Sequence, residues 1–130
     1  MTLTIGAGIT VQGGSTSTDF YSGSIIGRSD YWGGGTANAH VVNQGKISAA
    51  VSGQWLQVRS LGDFTNQGTV EAKSGGTLNI QPTNLTNFSG STLTGGTWQV
   101  YANGILRAAL SGPNLSNAAS LVLDGSNSQF

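Results

Sequence analysis

The sequence predicts an all-β domain built as a parallel β-helix, or β-solenoid, with turns of about 20–23 residues. Two observations support this fold class. Short motifs recur at that spacing, and within them apolar residues alternate with polar ones. The composition agrees, because glycine accounts for 21 of the 130 residues and suits a fold with frequent tight corners.

One repeated motif combines an asparagine or aspartate, a large apolar residue, a hydroxyl residue and a final asparagine. Its copies lie at residues 63–66, 84–87 and 114–117, with a weaker copy at 40–43. The final asparagines would fall at one corner of successive turns: Asn43, Asn66, Asn87 and Asn117. Asparagine tolerates the left-handed backbone of tight corners, and stacked amides can hydrogen-bond along the axis.

A second motif has the alternation of a half-buried strand and recurs out of phase with the first. Its copies lie at residues 52–58, 74–80 and 94–100. We expect one inward column of Leu56, Leu78 and Trp98, and a second of Val58, Ile80 and Val100. The longer step between the last two copies of the asparagine motif predicts extra residues within 101–110. The best helical candidate, residues 105–110, is too short to stand alone.

The chain reads as one domain with two parts. Residues 1–40 form an N-terminal cap or irregular turns with an aromatic loop, and residues 41–130 form the β-helix repeats. We interpret the whole as part of a longer protein. The alternative fold is an antiparallel β-sandwich, which explains the alternation but not the recurring corner motif.

The aromatic loop supplies the candidate binding residues. Tyr21, Tyr31 and Trp32 lie in a stretch rich in glycine and serine. Such rings can stack against sugars or anchor a protein partner. Alternatively, they cap the hydrophobic end of the rod, which a repeat protein requires.

Charge and composition argue against several classes of function. Five basic and five acidic residues give zero formal net charge, which disfavours nucleic-acid binding. No apolar stretch is long enough to insert into a membrane. The chain has no cysteine and its carboxylates are scattered, so we expect neither a metal site nor a cofactor.

The sequence also offers little for catalysis, and we predict that the protein is not an enzyme. Asp63 and Asp124 occupy turn positions, and the single histidine, His40, lacks the partners of a nucleophilic triad. Asp19 and Asp30 are the one carboxylate pair placed outside the repeat. A polysaccharide-degrading enzyme that uses this pair is therefore kept as an alternative.

Residues 66–72, 74–80, 84–87 and 120–125 together resemble the β-strand repeats of filamentous-haemagglutinin-like and autotransporter-like bacterial surface proteins. The resemblance implies a right-handed β-helix shaft that is secreted or displayed at the cell surface. It also implies a role in adhesion or surface structure, with a glycan or a host or neighbour-cell surface as partner. Homotypic end-to-end stacking into a fibre is the alternative, because the ends of a rod expose unpaired strands.

Overall fold

The computed structural model describes residues 1–17, 23–27 and 39–130, which form fourteen β-strands and contain no helix. In chain order the strands are β1 (Thr2–Ile5), β2 (Thr10–Gln12), β3 (Ser24–Ile26), β4 (His40–Asn43), β5 (Lys46–Ala49), β6 (Trp55–Val58), β7 (Asp63–Asn66), β8 (Thr69–Ala72), β9 (Thr77–Ile80), β10 (Asn84–Leu85), β11 (Phe88–Ser89), β12 (Thr92–Val100), β13 (Ile105–Ala108) and β14 (Ser116–Leu123). Most of them are short, because glycine and asparagine interrupt each apolar stretch.

Three parallel sheets form the walls of a β-solenoid with turns of about 24 residues. Sheet A stacks β1, β4, β7 and β10, sheet B stacks β2, β5, β8 and β12, and sheet C stacks β3, β6, β9 and β13. Strand β14 pairs with β12 and extends sheet B by one strand. The predicted all-β parallel solenoid is confirmed, with about three turns.

The spacing of stacked residues is regular in the middle of the molecule. Partners there lie 22 or 23 positions apart: Val41–Phe64, Ile47–Val70 and Leu56–Leu78. The first turn is longer, since Leu3 pairs with Val41, 38 positions later. That turn contains the stretch between residues 13 and 38 that departs from the sequence repeat.

The parallel walls rule out the antiparallel β-sandwich. Within the described residues, antiparallel pairing is confined to the short hairpin of β11 and β12 and to a single bridge between Ser15 and Trp55. Apart from β11 and β12, neighbouring strands in the three walls are separated by a full turn of chain rather than by a hairpin, so the recurring corner motif proves to be the more informative signal.

The extra residues of the longer turn lie in that hairpin, and the prediction that placed them within 101–110 is wrong. Asn66 and Thr69 are three positions apart, whereas the equivalent Asn87 and Thr97 are ten apart. The seven added residues fold back as β11 and the start of β12. The short helical candidate at 105–110 instead contains strand β13.

This insertion also changes which residues stack. Leu56 and Leu78 share a column as predicted, but the next member is Leu106 rather than Trp98. Trp98 lies on β12 and stacks on Val70 in sheet B. The predicted second column changes in the same way, because Val100 stacks on Ala72, whereas Ile80 stacks on Ala108.

The core is the space enclosed by the three walls. Each wall sends a column of large apolar side chains into it, and these are almost fully buried: Val41, Phe64 and Leu85 from sheet A; Ile47, Val70 and Trp98 from sheet B; Leu56, Leu78 and Leu106 from sheet C. Sheet B adds Val100 and sheet C adds Val58 and Ile80, which are also fully buried. Stacked strands are ~4.8 Å apart, so the members of a column contact one another directly. Burial of these columns is the main source of stability that the fold offers.

The corner between sheets A and B requires glycine because successive turns approach closely there. A Cβ atom on Gly68 would lie 2.7 Å from the carbonyl carbon of Gln44 and would also overlap the carbonyl oxygen of Gly45. The amide of Gly68 donates to the carbonyl oxygen of Asn43 at 2.8 Å, which holds the two turns together. The recurring Asn-Gln-Gly sequence therefore reflects backbone contact between turns.

Candidate functional site

The candidate binding residues from the sequence, Tyr21, Tyr31 and Trp32, lie outside the described residues. The same holds for Asp19 and Asp30, the carboxylate pair of the enzymatic alternative. Their proposed roles therefore stay predictions. Within the described residues, the arrangements that carry chemistry are columns of polar side chains that run along the solenoid.

The first of these columns is a buried amide ladder at the corner between sheets A and B. Asn43 Nδ2 donates to Asn66 Oδ1 at 2.8 Å, and Asn66 Nδ2 donates to the carbonyl oxygen of Thr97 at 3.2 Å. Asn87 continues the ladder, because its Oδ1 accepts from the backbone N–H of Asn66 and its Nδ2 donates to the carbonyl oxygen of that residue. These bonds satisfy backbone groups that the turning chain leaves unpaired.

The prediction for these asparagines is confirmed in part. The amides do bond along the axis, but the backbone at Asn43, Asn66 and Asn87 is not left-handed. The described asparagines with positive φ are instead Asn103 and Asn127, which stack on each other one turn apart with a side-chain bond of 3.1 Å. Asn117 also departs from the expected position. It is exposed on β14 and bonds locally to Ala119.

A second polar column lies on the outer face of sheet A. His40 Nδ1 lies 3.1 Å from Asp63 Oδ2, and Asn84 Nδ2 donates to Asp63 Oδ1 at 2.8 Å. The bond from Asn84 is the main reason that the pKa of Asp63 lies below its ordinary value, and His40 adds to the effect. His40 and Asn84 each contact Asp63 from a neighbouring turn, so the three side chains help to hold successive turns of sheet A together.

Glu71 is the one buried carboxylate of the described residues. It lies on the outer face of sheet B and is about 4% exposed, with Lys73 Nζ at 2.8 Å and Lys46 Nζ at 3.1 Å. The hydroxyl of Ser48 donates to its Oε1 at 2.8 Å. Burial raises the pKa of Glu71, but the bonds from Lys73, Ser48 and Lys46 outweigh burial and hold the pKa below its ordinary value.

The sequence analysis missed this cluster, although a signal for it was present. The repeat aligns residues 43–47 with residues 66–70. Extending that alignment by one position places Ser48 over Glu71, as the register shows. The lysines could not be assigned in the same way, since their contacts depend on how far long side chains reach across the sheet.

The outer face of sheet C combines an aromatic ring with buried amides. The guanidinium carbon of Arg107 lies 4.8 Å from the ring centre of Trp55, a cation–π contact. Gln57 and Asn79 stack beside them and are at least 94% buried. Both amide atoms of Gln57 and the Oδ1 atom of Asn79 have no hydrogen-bond partner among the described residues.

Metal-ligand clusters, pockets and long apolar helices are absent from the described residues. No group of three or more histidine, cysteine, aspartate or glutamate side chains is placed to hold a metal ion in the part of the chain that the structure describes. That part also holds no pocket. It contains no helix with the length and apolar character needed to cross a membrane.

Comparisons with protein-family models, with curated proteins and with solved structures find no match to this chain. The architecture is therefore established by its own register, as a parallel β-solenoid without a family assignment.

Proposed function

We propose that this chain is a non-enzymatic β-helical shaft or adhesin module of a secreted or cell-surface bacterial protein. The observation that carries the proposal is that strands stack in register within three parallel sheets, which enclose a continuous apolar core. Each turn adds a fixed rise of ~4.8 Å, so such a rod places whatever it carries at a distance set by its number of turns.

The polar columns support a mechanical role for the rod. Asn43, Asn66 and Asn87 bond from turn to turn inside the wall, and Glu71 ties two turns together through Ser48 and Lys46. The backbone hydrogen bonds between stacked strands also run along the axis of the solenoid. Tension along the rod would therefore act on many parallel bonds at once, and a shaft exposed to pulling forces needs that arrangement.

The resemblance to filamentous-haemagglutinin-like and autotransporter-like repeats supports the surface location and the adhesive role. Few charged side chains and a repetitive polar surface suit a rod that spaces a binding element from a cell. In this proposal the adhesive contact is made by the aromatic residues of the N-terminal part, Tyr21, Tyr31 and Trp32, with a glycan or a neighbouring cell surface as partner.

An attachment assay tests the adhesive part of the proposal. Beads coated with the protein are expected to adhere to immobilised surface glycans, and a variant carrying Tyr31→Ala and Trp32→Ala is expected to lose adhesion while keeping its melting temperature. Coated beads that adhere no better than uncoated beads would refute the adhesive role. A variant that unfolds would indicate that the aromatic residues cap the rod instead.

A hydrolysis assay separates this proposal from the enzymatic alternative. We expect no release of reducing ends when the protein is incubated with a panel of acidic and neutral polysaccharides. Release that disappears in both Asp19→Asn and Asp30→Asn variants would establish the enzyme and overturn the non-enzymatic reading.

A further inference from the structure

The outer face of sheet C differs from those of the other two walls. On sheets A and B, outward polar side chains bond from turn to turn, as Ser48 does with Glu71. On sheet C, Gln57 and Asn79 stack on each other in register, yet both amide atoms of Gln57 and the Oδ1 atom of Asn79 lack a hydrogen-bond partner among the described residues. A buried donor or acceptor without a partner lowers stability, so the fold by itself gives no reason for these amides.

The contact between Trp55 and Arg107 crosses the same face. Trp55 lies on β6 and Arg107 on β13, and β9 runs between these two strands. On β9, Thr77 pairs with Trp55, and Asn79 pairs with Arg107. The cation–π contact of 4.8 Å therefore reaches diagonally over Thr77 and Asn79, which are only 5% and 6% exposed. Arg107 is exposed and Trp55 is partly exposed, so the pair covers the amide of Asn79 on its solvent side.

The place of this cluster does not depend on how the chain begins or ends. Strands β6, β9 and β13 are neighbours in sheet C, and a bridge from Ile105 to Gln129 follows on the other side of β13. The side chains of the cluster alternate with Leu56, Leu78 and Leu106, which fill the core, so they point away from the axis. Further turns at either end would lengthen this wall without covering it.

The side chains on this face match a saccharide that carries a carboxylate. A side-chain amide has a donor group and an acceptor group, and a sugar hydroxyl can bond to either. The ring of Trp55 is a flat apolar surface on which the C–H face of a sugar can stack. The guanidinium of Arg107 suits a carboxylate, which it can bind through two parallel hydrogen bonds. The described strands of sheet C carry no acidic residue that would repel such a group.

We propose that the outer face of sheet C binds an acidic saccharide. Trp55 stacks on a sugar ring and Arg107 pairs with the carboxylate, while Gln57 and Asn79 bond to hydroxyl groups. The described residues form no pocket, so the ligand parts Arg107 from Trp55 to reach the amides. The carboxylate replaces the cation–π contact, and the hydroxyls give the unpaired amide atoms partners. This site adds a ligand to the shaft and does not rest on the adhesive contact proposed for the N-terminal aromatic residues.

The indole N–H signals in two-dimensional proton–nitrogen NMR test the site, because the chain has three tryptophans. The probes are oligosaccharides of galacturonate, glucuronate, mannuronate and sialic acid, each compared with its methyl ester, which keeps the sugar but removes the charge. We expect at least one acid to shift the signal of Trp55, which Trp55→Phe assigns, and its ester to shift that signal less. The signal of Trp98, which is fully buried, should stay in place and reports the fold.

The same spectra distinguish this proposal from the adhesive one. A shift of the Trp32 signal alone would support the adhesive contact of the N-terminal aromatic residues and overturn the site on sheet C. The absence of any shift at Trp55 across the panel would overturn it as well, and so would an equal response to each acid and its ester.

A substitution at Gln57 separates a binding role from a structural one. Gln57→Leu removes the unpaired amide and nearly keeps the side-chain volume, so we expect it to keep or raise the melting temperature. It should also weaken binding of the acid that shifts Trp55 by at least about tenfold, since two hydrogen-bonding atoms are lost. A folded variant that binds as tightly as the wild type would show that Gln57 has no part in the site.

A pair of arginine substitutions tests the carboxylate contact. Arg107→Gln should weaken binding of the acid by at least about tenfold and remove the difference between the acid and its ester. The matched control is Arg59→Gln, which removes the same charge from the same wall just after β6, where Arg59 Nη2 lies 3.5 Å from Gln81 Oε1. Circular dichroism checks the fold of both variants. Equal losses of binding would mean that charge alone attracts the acid, and would overturn the site.

Discussion

The side-chain amide of Asn43 donates to the side-chain carbonyl of Asn66 at 2.8 Å, one full turn of the solenoid later. One position further along, Gln44 Nε2 donates to Gln67 Oε1 at 3.1 Å. The two amide pairs have the same chemistry and the same register, but the asparagines are buried and the glutamines are exposed. Comparing the two pairs therefore separates the effect of burial on stability from the effect of the hydrogen bond itself.

Truncation of the buried amide should be far more costly than truncation of the exposed one. We expect Asn66→Ala to lower the free energy of unfolding by about 2–3 kcal/mol, since it leaves the buried backbone and amide partners unsatisfied. Gln67→Ala should cost less than about 0.5 kcal/mol, because water replaces the lost bond. Urea unfolding of both variants measures the difference, and equal costs would contradict the ladder's role.

Acid should weaken the fold partly through Glu71. Its pKa is lowered in the folded state, so the stability it contributes is fully present above the ordinary value of 4.5 and is lost as pH falls through the lowered value. The substitution Glu71→Gln is expected to cost about 1–2 kcal/mol at neutral pH, since Lys46 and Lys73 lose their partner but remain partly hydrated.

As the pH falls, Glu71→Gln should also lose less of its free energy of unfolding than the wild type does. Unfolding measured between neutral pH and pH values below 4.5 provides the comparison. Asp124→Asn is the matched control, because it removes one carboxylate that is exposed and lies just after β14, outside the Glu71 cluster. An acid response of Glu71→Gln identical to that of the wild type would rule out the proposed linkage.

The close approach of turns at the corner between sheets A and B makes Gly68 intolerant of a side chain. We expect Gly68→Ala to cost about 3 kcal/mol, because the new methyl group meets backbone atoms of Gln44 and Gly45 that cannot move aside independently. Gly6→Ala is the control, since a Cβ there meets nothing within 4 Å. Thermal melting should show a large fall for the first variant and little change for the second.

The middle of the apolar column in sheet C should be sensitive to cavity formation. Leu78 is fully buried between Leu56 and Leu106, so Leu78→Ala is expected to destabilise by about 3 kcal/mol. Leu115→Ala removes the same atoms from a side chain that is 56% exposed, and we expect less than about 0.5 kcal/mol. If both changes had similar effects in chemical denaturation, Leu78 would not be part of a close-packed core.

Prediction from sequence succeeded where neighbouring turns repeat the same motif without interruption. Residues 52–58 and 74–80 share their pattern, and Leu56 does stack on Leu78. It failed where a motif-like stretch follows an insertion. Residues 94–100 carry a similar pattern, but the hairpin of β11 and β12 shifts them into sheet B, and nothing local in the sequence marks which wall a strand joins.

The composition, the corner motif and the alternation of apolar residues determined the solenoid and its turn length, because backbone stacking of like residues follows from local repetition. Which wall receives Trp98, and how Lys46 comes to bind Glu71, were decided only by the folded chain. Both depend on contacts between residues more than a full turn apart, and the linear pattern does not show the insertion that sets their alignment.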